Sequence, residues 1–146
     1  MSFSCESTTD DVLDGVDLSG RRFLITGAAS GLGEESTRAL AAHGASILML
    51  ARDPHKNAEA ADRVRASVPD ADLSLDTVDL ADLASVRAFA GRYIESGGPI
   101  DVLMNNAGVM ACPFGQTVDG FEMQFGTNHL GHFELTRLLQ PAVVAG

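Results

Sequence analysis

Thr26-Gly27-Ala28-Ala29-Ser30-Gly31-Leu32-Gly33 stands where a short apolar run, Phe23-Leu24-Ile25, gives way to a helical pattern. Three glycines in G-x-x-x-G-x-G spacing let the backbone turn sharply and approach a bulky anion. The helix that follows points its unpaired N–H groups and positive dipole end at that anion. A dinucleotide pyrophosphate is the expected ligand, although a glycine-rich stretch can also be a plain turn.

Working outward, short apolar runs alternate with helical patterns from residue 21 onward. Strands are predicted at 22–26, 46–51, 73–78 and 100–105, and helices at 31–43, 55–68, 82–96 and 120–144. Ala58, Ala61, Val64 and Val68 share one helical face, and Leu83, Val86, Ala90 and Tyr93 another. Pro54 and Asp82 mark helix starts; Gly44 and Gly97-Gly98 mark ends. Runs such as Ile47-Leu48-Met49-Leu50 are apolar on both faces, as in parallel strands covered by helices on each side. The predicted fold class is α/β, a Rossmann-type doubly wound parallel sheet that breaks off after its fourth strand and the helix following it. An acidic N-terminal tail, 1–20, would precede an incomplete NAD(P)-binding Rossmann domain, 21–146.

A 146-residue chain that is 45% hydrophobic and 21% charged has an ordinary globular composition. Its net charge of −10 argues against nucleic acid or an anionic membrane as partner. The first twenty residues hold Glu6, Asp10, Asp11, Asp14 and Asp17 and no base, so about half of the net charge reads as a solvated extension. No run of ~18 apolar residues suggests a membrane span, and the N-terminus lacks signal-peptide order. Cys5 and Cys112 have neither metal-type nor disulfide-framework spacing. A reduced, cytoplasmic setting is the default expectation.

Ligands of such sheets bind at the carboxyl ends of the strands. Behind the second strand come Arg52 and Asp53: an acid there would bind the ribose 2′-hydroxyl of NAD, and an arginine the 2′-phosphate of NADP. Arg52 comes first and can pair with phosphate through two N–H groups, which ranks NADP ahead of NAD. Asp79-Leu80 follows the third strand, where a carboxylate could accept from an adenine amino group. Asn105-Asn106-Ala107-Gly108 follows the fourth, with small residues that let backbone lie against a ribose.

These strand ends together resemble the short-chain dehydrogenases/reductases. The T-G-x-x-x-G-x-G loop, Asp79 and N-N-A-G at 105–108 match that family in type and spacing. Gly126-Thr127-Asn128-His129-Leu130-Gly131-His132-Phe133 and Ala111-Cys112-Pro113-Phe114-Gly115 resemble its retinol-dehydrogenase-like branch. The resemblance spans residues 17 to 146. It implies oxidation or reduction of an alcohol or carbonyl, apolar and retinol-like by branch. It implies that Gly27, Ser30, Gly31, Leu32 and Gly33 line the pyrophosphate and its riboses. Asp79 and Leu80 would flank the adenine, Asn106, Ala107 and Gly108 the adjacent sugar, and Asn105 would tie the fourth strand to its neighbours. Asn128 matches the helical asparagine of the family's catalytic tetrad.

The family's Tyr-x-x-x-Lys pair does not occur in these residues. The lone tyrosine, Tyr93, is followed four positions later by Gly97, and the lone lysine is Lys56. Tyr93 lies on an apolar stripe and reads as core. Two readings follow: the cofactor half of an oxidoreductase, or a non-catalytic dinucleotide-binding module. His129 and His132 could resemble a metal pair, but no third ligand has a supporting spacing. His132 is expected to share a stripe with Phe121, Phe125 and Asn128 and to face the sheet. Gly126 and Gly131 inside the last helix each cost about 1 kcal/mol relative to alanine. Close packing against a helix, or against a second copy in a homo-oligomer through 120–144, would explain them. Cys112 reads as a free thiol with no base to activate it.

Overall fold

The computed structural model describes residues 3–146. Its sheet is built from β1 (Arg22–Thr26), β2 (Ser46–Ala51), β3 (Leu73–Thr77) and β4 (Val102–Met104), all parallel and ordered β3-β2-β1-β4. Helices α2 (Gly31–Ala42), α3 (Pro54–Ser67), α4 (Leu83–Ser96) and α5 (His132–Val144) cover its two faces. Alternation along the strands assigns the layers. Phe23, Ile25, Ile47 and Met49 face Ala41 of α2 and Ala60 and Ala61 of α3. Leu24, Leu48 and Leu50 face Val86, Phe89 and Tyr93 of α4 and Leu135 and Leu139 of α5.

From β1 the chain winds to β2 and β3 on one side and then crosses to β4 on the other. The carboxyl ends of β1 and β4 therefore bound the crevice of a topological switch point. β4 is shorter than predicted. It pairs with β1 only from Val102 to Met104, and then Asn106 turns its backbone N–H onto the Thr26 hydroxyl.

Three other expectations need correction. In α3 the inward face is led by Asn57, not the exposed Ala58. The buried Asn57 amide donates to Met49 O at 2.9 Å, tying helix to strand through a polar residue that apolar periodicity passes over. The last helix starts at Met123, and Phe125–Gly131 is a π-helical turn. The wider i→i+5 turn breaks the expected 3.6-residue stripe: His132 is buried, but Phe121 and Phe125 are 40% and 53% exposed. Phe125 stacks instead on the His129 ring, 5.2 Å between centroids.

The acidic N-terminal segment is not simply a solvated extension either. Thr8 and Asp11 close a capping box at the start of α1 (Thr9–Leu13), which lies against α2. There Arg38 pairs with Asp10 at 2.8 Å and with Glu35, and Thr9 donates to Glu35.

Candidate functional site

The loop between β1 and α2 owes its shape to two close approaches. Gly27 has φ +67° and lies so near the 105–108 segment that a Cβ on it would stand 2.8 Å from Ala107 Cα. At Gly33 a Cβ would overlap the Gly27 carbonyl oxygen and sit 2.6 Å from Asn106 Nδ2. Both positions exclude side chains, and both hold the loop against the end of β4. Gly31 differs: its φ of +56° favours glycine, but nothing lies within 4 Å of where its Cβ would be. It lines a separate charged hollow beside Glu34 and Arg63 rather than the crevice. Ser30 occupies the N-cap position of α2 without a side-chain capping bond, so its hydroxyl remains available at the crevice.

The crevice is a cleft of about 520 Å³ to which every strand end contributes. β1 supplies Gly27, Ser30, Leu32 and Gly33, and Leu32 is 80% exposed at its mouth. β2 supplies Arg52 and Asp53. Asp53 Oδ1 accepts from the N–H groups of His55 and Lys56, at 2.9 and 3.2 Å, as the N-cap of α3. Those bonds, the Lys56 contact first, hold its carboxyl below the usual range. Arg52 is exposed and has no ion-pair partner among the described residues. β3 supplies Asp79 and Leu80. Asp79 Oδ1 accepts from Ala81 N–H at 2.9 Å, and the buried Leu80 side chain belongs to the core beneath the cleft. β4 supplies Asn106, Ala107 and Gly108.

Asn105 ties the end of β4 to a neighbouring element, as expected, and Asn106 adds a second tie. Asn105 donates to the Thr136 hydroxyl of α5 at 3.0 Å. The residue that ties β4 to β1 is Asn106, whose Nδ2 donates to Thr26 O at 2.9 Å. Asn128 touches the cleft indirectly. Its side chain forms a two-point pair with Val109, accepting from N–H and donating to C=O at 2.8 Å each.

The structure thus brings Gly27, Ser30, Leu32, Gly33, Arg52, Asp79, Leu80, Asn106, Ala107 and Gly108 to one cleft. Gly31 lies beside it, and Asn128 stands behind its wall. Sequence reasoning gave no role to Lys56, Thr127 and Val109, which also line it, or to Thr26, the fully buried hub beneath it. Thr26 was in plain view as the first residue of the glycine motif. The others carry no spacing signal, because the fold alone places them.

Tyr93 is core, with its hydroxyl donating to Pro99 O at 3.2 Å; burial raises its pKa. Among the described residues no group of three or more His, Cys, Asp and Glu could hold a metal, and no helix is long and apolar enough to cross a membrane. Cys5 and Cys112 are free thiols. Gly126 and Gly131 are tightly packed: a Cβ would overlap Thr117 Cγ2 at the first and the Leu80 carbonyl oxygen at the second.

Comparison with known proteins agrees with this geometry. Retinol dehydrogenase 12 of Mus musculus is 45% identical over 124 residues, covering 85% of this chain and 39% of its own length. Retinol dehydrogenase 13 of Homo sapiens is 46% identical over 120 residues, covering 82% of this chain and 36% of its own. The chain therefore spans less than half the length of these curated relatives. An uncharacterised protein from Mycobacterium Paratuberculosis superposes with a TM-score of 0.76 at 47% identity, over 86% of this chain and 44% of that one. A metagenomic short-chain oxidoreductase in complex with NADP superposes with a TM-score of 0.72 at 29% identity, over 88% and 58%. The family model for short chain dehydrogenases matches residues 21–146. With its parallel Rossmann-like sheet and glycine-lined switch point, the chain belongs to the short chain dehydrogenase family of oxidoreductases.

Proposed function

We propose that residues 21–146 bind NADP(H) for the oxidation or reduction of an alcohol or carbonyl whose body is apolar, in keeping with the retinol dehydrogenases among its relatives. The observation that carries this reading is the convergence of four strand ends on one cleft whose loop leaves no room for a Cβ at Gly27 or Gly33. Such a cradle suits a pyrophosphate approached by backbone N–H groups. Gly27, Ser30, Leu32 and Gly33 would hold the pyrophosphate and its riboses, Asp79 and Leu80 the adenine, and Ala107 and Gly108 the neighbouring sugar. When bound, the nicotinamide supplies hydride acceptance or donation.

Arg52 and Asp53 support NADP over NAD. The acid that could receive a ribose 2′-hydroxyl is held at the start of α3, its Oδ1 accepting from two N-terminal N–H groups. Arg52 lines the cleft unpaired, and Lys56 adds a second cation beside it. A guanidinium offers paired donors matched to a phosphate. Within these 146 residues the only tyrosine is core and the only lysine lies at this cleft. This stretch by itself is therefore proposed to bind dinucleotide without turning substrate over.

Titration calorimetry tests the reading. The wild-type chain should bind NADP⁺ more tightly than NAD⁺. Arg52→Ala should weaken NADP⁺ by roughly ten- to a hundredfold, the value of a charge-assisted contact, with NAD⁺ little changed. Equal losses for both would make Arg52 structural; no binding of either would sink the dinucleotide reading.

A further inference from the structure

His132 opens α5 directly after the π-helical turn and is buried, with 6% of its surface exposed. Its ring spans two groups from different parts of the fold. Nδ1 lies 2.9 Å from Asn128 O, and Nε2 lies 2.8 Å from the Thr26 hydroxyl at the end of β1. A carbonyl can only accept, so Nδ1 must carry the proton. The Thr26 hydroxyl has two lone pairs and one hydrogen. Asn106 N–H and Ala107 N–H both donate to it at 3.0 Å and fill the lone pairs. Its hydrogen then goes to Nε2, the shorter of the two acceptors within reach; Met104 O is at 3.4 Å. Every donor and acceptor in the chain Asn128–His132–Thr26 is satisfied in one arrangement only, with the ring neutral and protonated at Nδ1.

This arrangement has a consequence for the cleft. The wall formed by residues 106–109 is held at two places. Thr26 takes the N–H groups of Asn106 and Ala107, and the Asn128 side chain takes both backbone groups of Val109. The partners at both places hang on the same imidazole. We infer that His132 is a positioning residue for the dinucleotide cleft: fixed as the Nδ1–H tautomer, it locks Thr26 and Asn128 together and so sets the 106–109 wall against the glycine loop. This role rests on the dinucleotide reading above and adds to it a residue with no contact to the ligand. Burial, which disfavours the charged ring, works in the same direction by lowering the His132 pKa. An imidazolium would place an Nε2–H against a hydroxyl whose lone pairs are already taken.

Long-range ¹H–¹⁵N spectra of the full chain, labelled in histidine, read the tautomer directly. Four rings are present, and His43 Nδ1 also faces a carbonyl, Ala39 O, at 2.8 Å. Two Nδ1–H rings are therefore expected, of which one disappears in His132→Asn. An Nε2–H or charged His132 in the wild-type protein at neutral pH, its ring assigned through bonds to its own backbone, would overturn the inference whether or not any variant folds. NADP⁺ affinity supplies the second reading. His132→Phe, which removes both bonds, should weaken NADP⁺ by about tenfold or more. His132→Gln, whose amide oxygen can replace Nε2 as acceptor for Thr26, should recover most of that loss. A folded Phe variant with wild-type affinity would overturn the role. If the wild-type chain binds no NADP⁺ at all, the dinucleotide reading fails and takes the positioning role with it; a wrong tautomer with intact binding defeats the positioning role alone.

Discussion

Helix α4 and the helix running from Met123 to Val144 cover the same face of the sheet, yet they are built on different rules. α4 is a regular amphipath: Val86, Phe89, Ala90 and Tyr93 are buried at helical spacing, and Asp82 caps its start. Its Gly91 has nothing within 4 Å of where a Cβ would stand. The second helix widens into a π turn over Phe125–Gly131, and both glycines in that turn touch neighbouring groups too closely for any side chain. Of its two buried polar residues, Glu134 pairs with Arg87 and Arg137, and His132 faces a strand-end hydroxyl rather than a core cluster. Periodicity describes a helix that covers an apolar surface. A helix that must meet particular backbone groups beside a cleft takes its geometry from those contacts.

The most severe way to test that contrast is at the cleft loop. Gly33→Val should leave no measurable dinucleotide binding and should unfold the chain or cost it about 3 kcal/mol. The new side chain meets Gly27 backbone, which cannot yield. Gly31→Ala meets no such neighbour and should cost only about 1–2 kcal/mol of left-handed backbone strain. Circular-dichroism melts with NADP⁺ titration compare the two, and equal damage would dissolve the distinction. Next in size, Gly131→Ala drives a Cβ into Leu80 O beneath the cleft and should destabilise by about 1–3 kcal/mol in urea unfolding. Gly91→Ala should do the opposite and stabilise by about 0.5–1 kcal/mol, since only backbone entropy changes. Two changes of the same sign would mean that the helices do not differ as described.

The smallest effect concerns α1. The Arg38 guanidinium, with help from the Thr9 hydroxyl, holds the Glu35 carboxyl down at about 2, against 4.5 for a free glutamate. A carboxyl whose folded pKa is depressed contributes stability that is complete above the unfolded value and is lost as pH falls toward the folded one. Amide exchange in Thr9–Leu13 should therefore accelerate as pH drops from about 5 toward 2, after correction for the intrinsic rate. Glu35→Gln should weaken that dependence, leaving the part that belongs to the Asp11 carboxyl of the capping box, which the Thr8 bonds also hold below the usual range. A pH-independent protection of α1 would remove the ion pair from the account.

What the sequence made legible was the frame. The glycine motif, the two-faced apolar strands and the residues at each strand end locate the cleft, because strand ends of a doubly wound sheet have one place to meet. Gly126 and Gly131 announced close packing by their cost inside a helix, but not its partners, which are Thr117 and the Leu80 carbonyl of connecting segments rather than a helix. Asn57, Thr26 and the outward turn of Phe121 and Phe125 were not legible. A buried asparagine on a helix shows no apolar spacing, and a hub hydroxyl is defined by partners such as Ala107 that are distant in sequence. A π turn shifts the phase of a stripe, and the close contacts that accompany it at Gly126 and Gly131 leave no mark on the apolar spacing. Asp53 shows the same limit: as a residue type it could have bound a ribose, and only its capping bonds to α3 reveal how it is engaged.

The most direct test of the central claim is a ¹H–¹⁵N titration of the chain with NADP⁺. Amide shifts should concentrate at residues 27–33, Arg52, Leu80 and 107–109, with the amino ends of the strands around Asp101 and Val102 unmoved. Saturable shifts clustered elsewhere, or none at millimolar NADP⁺ in a folded chain, would contradict a dinucleotide cleft at this switch point.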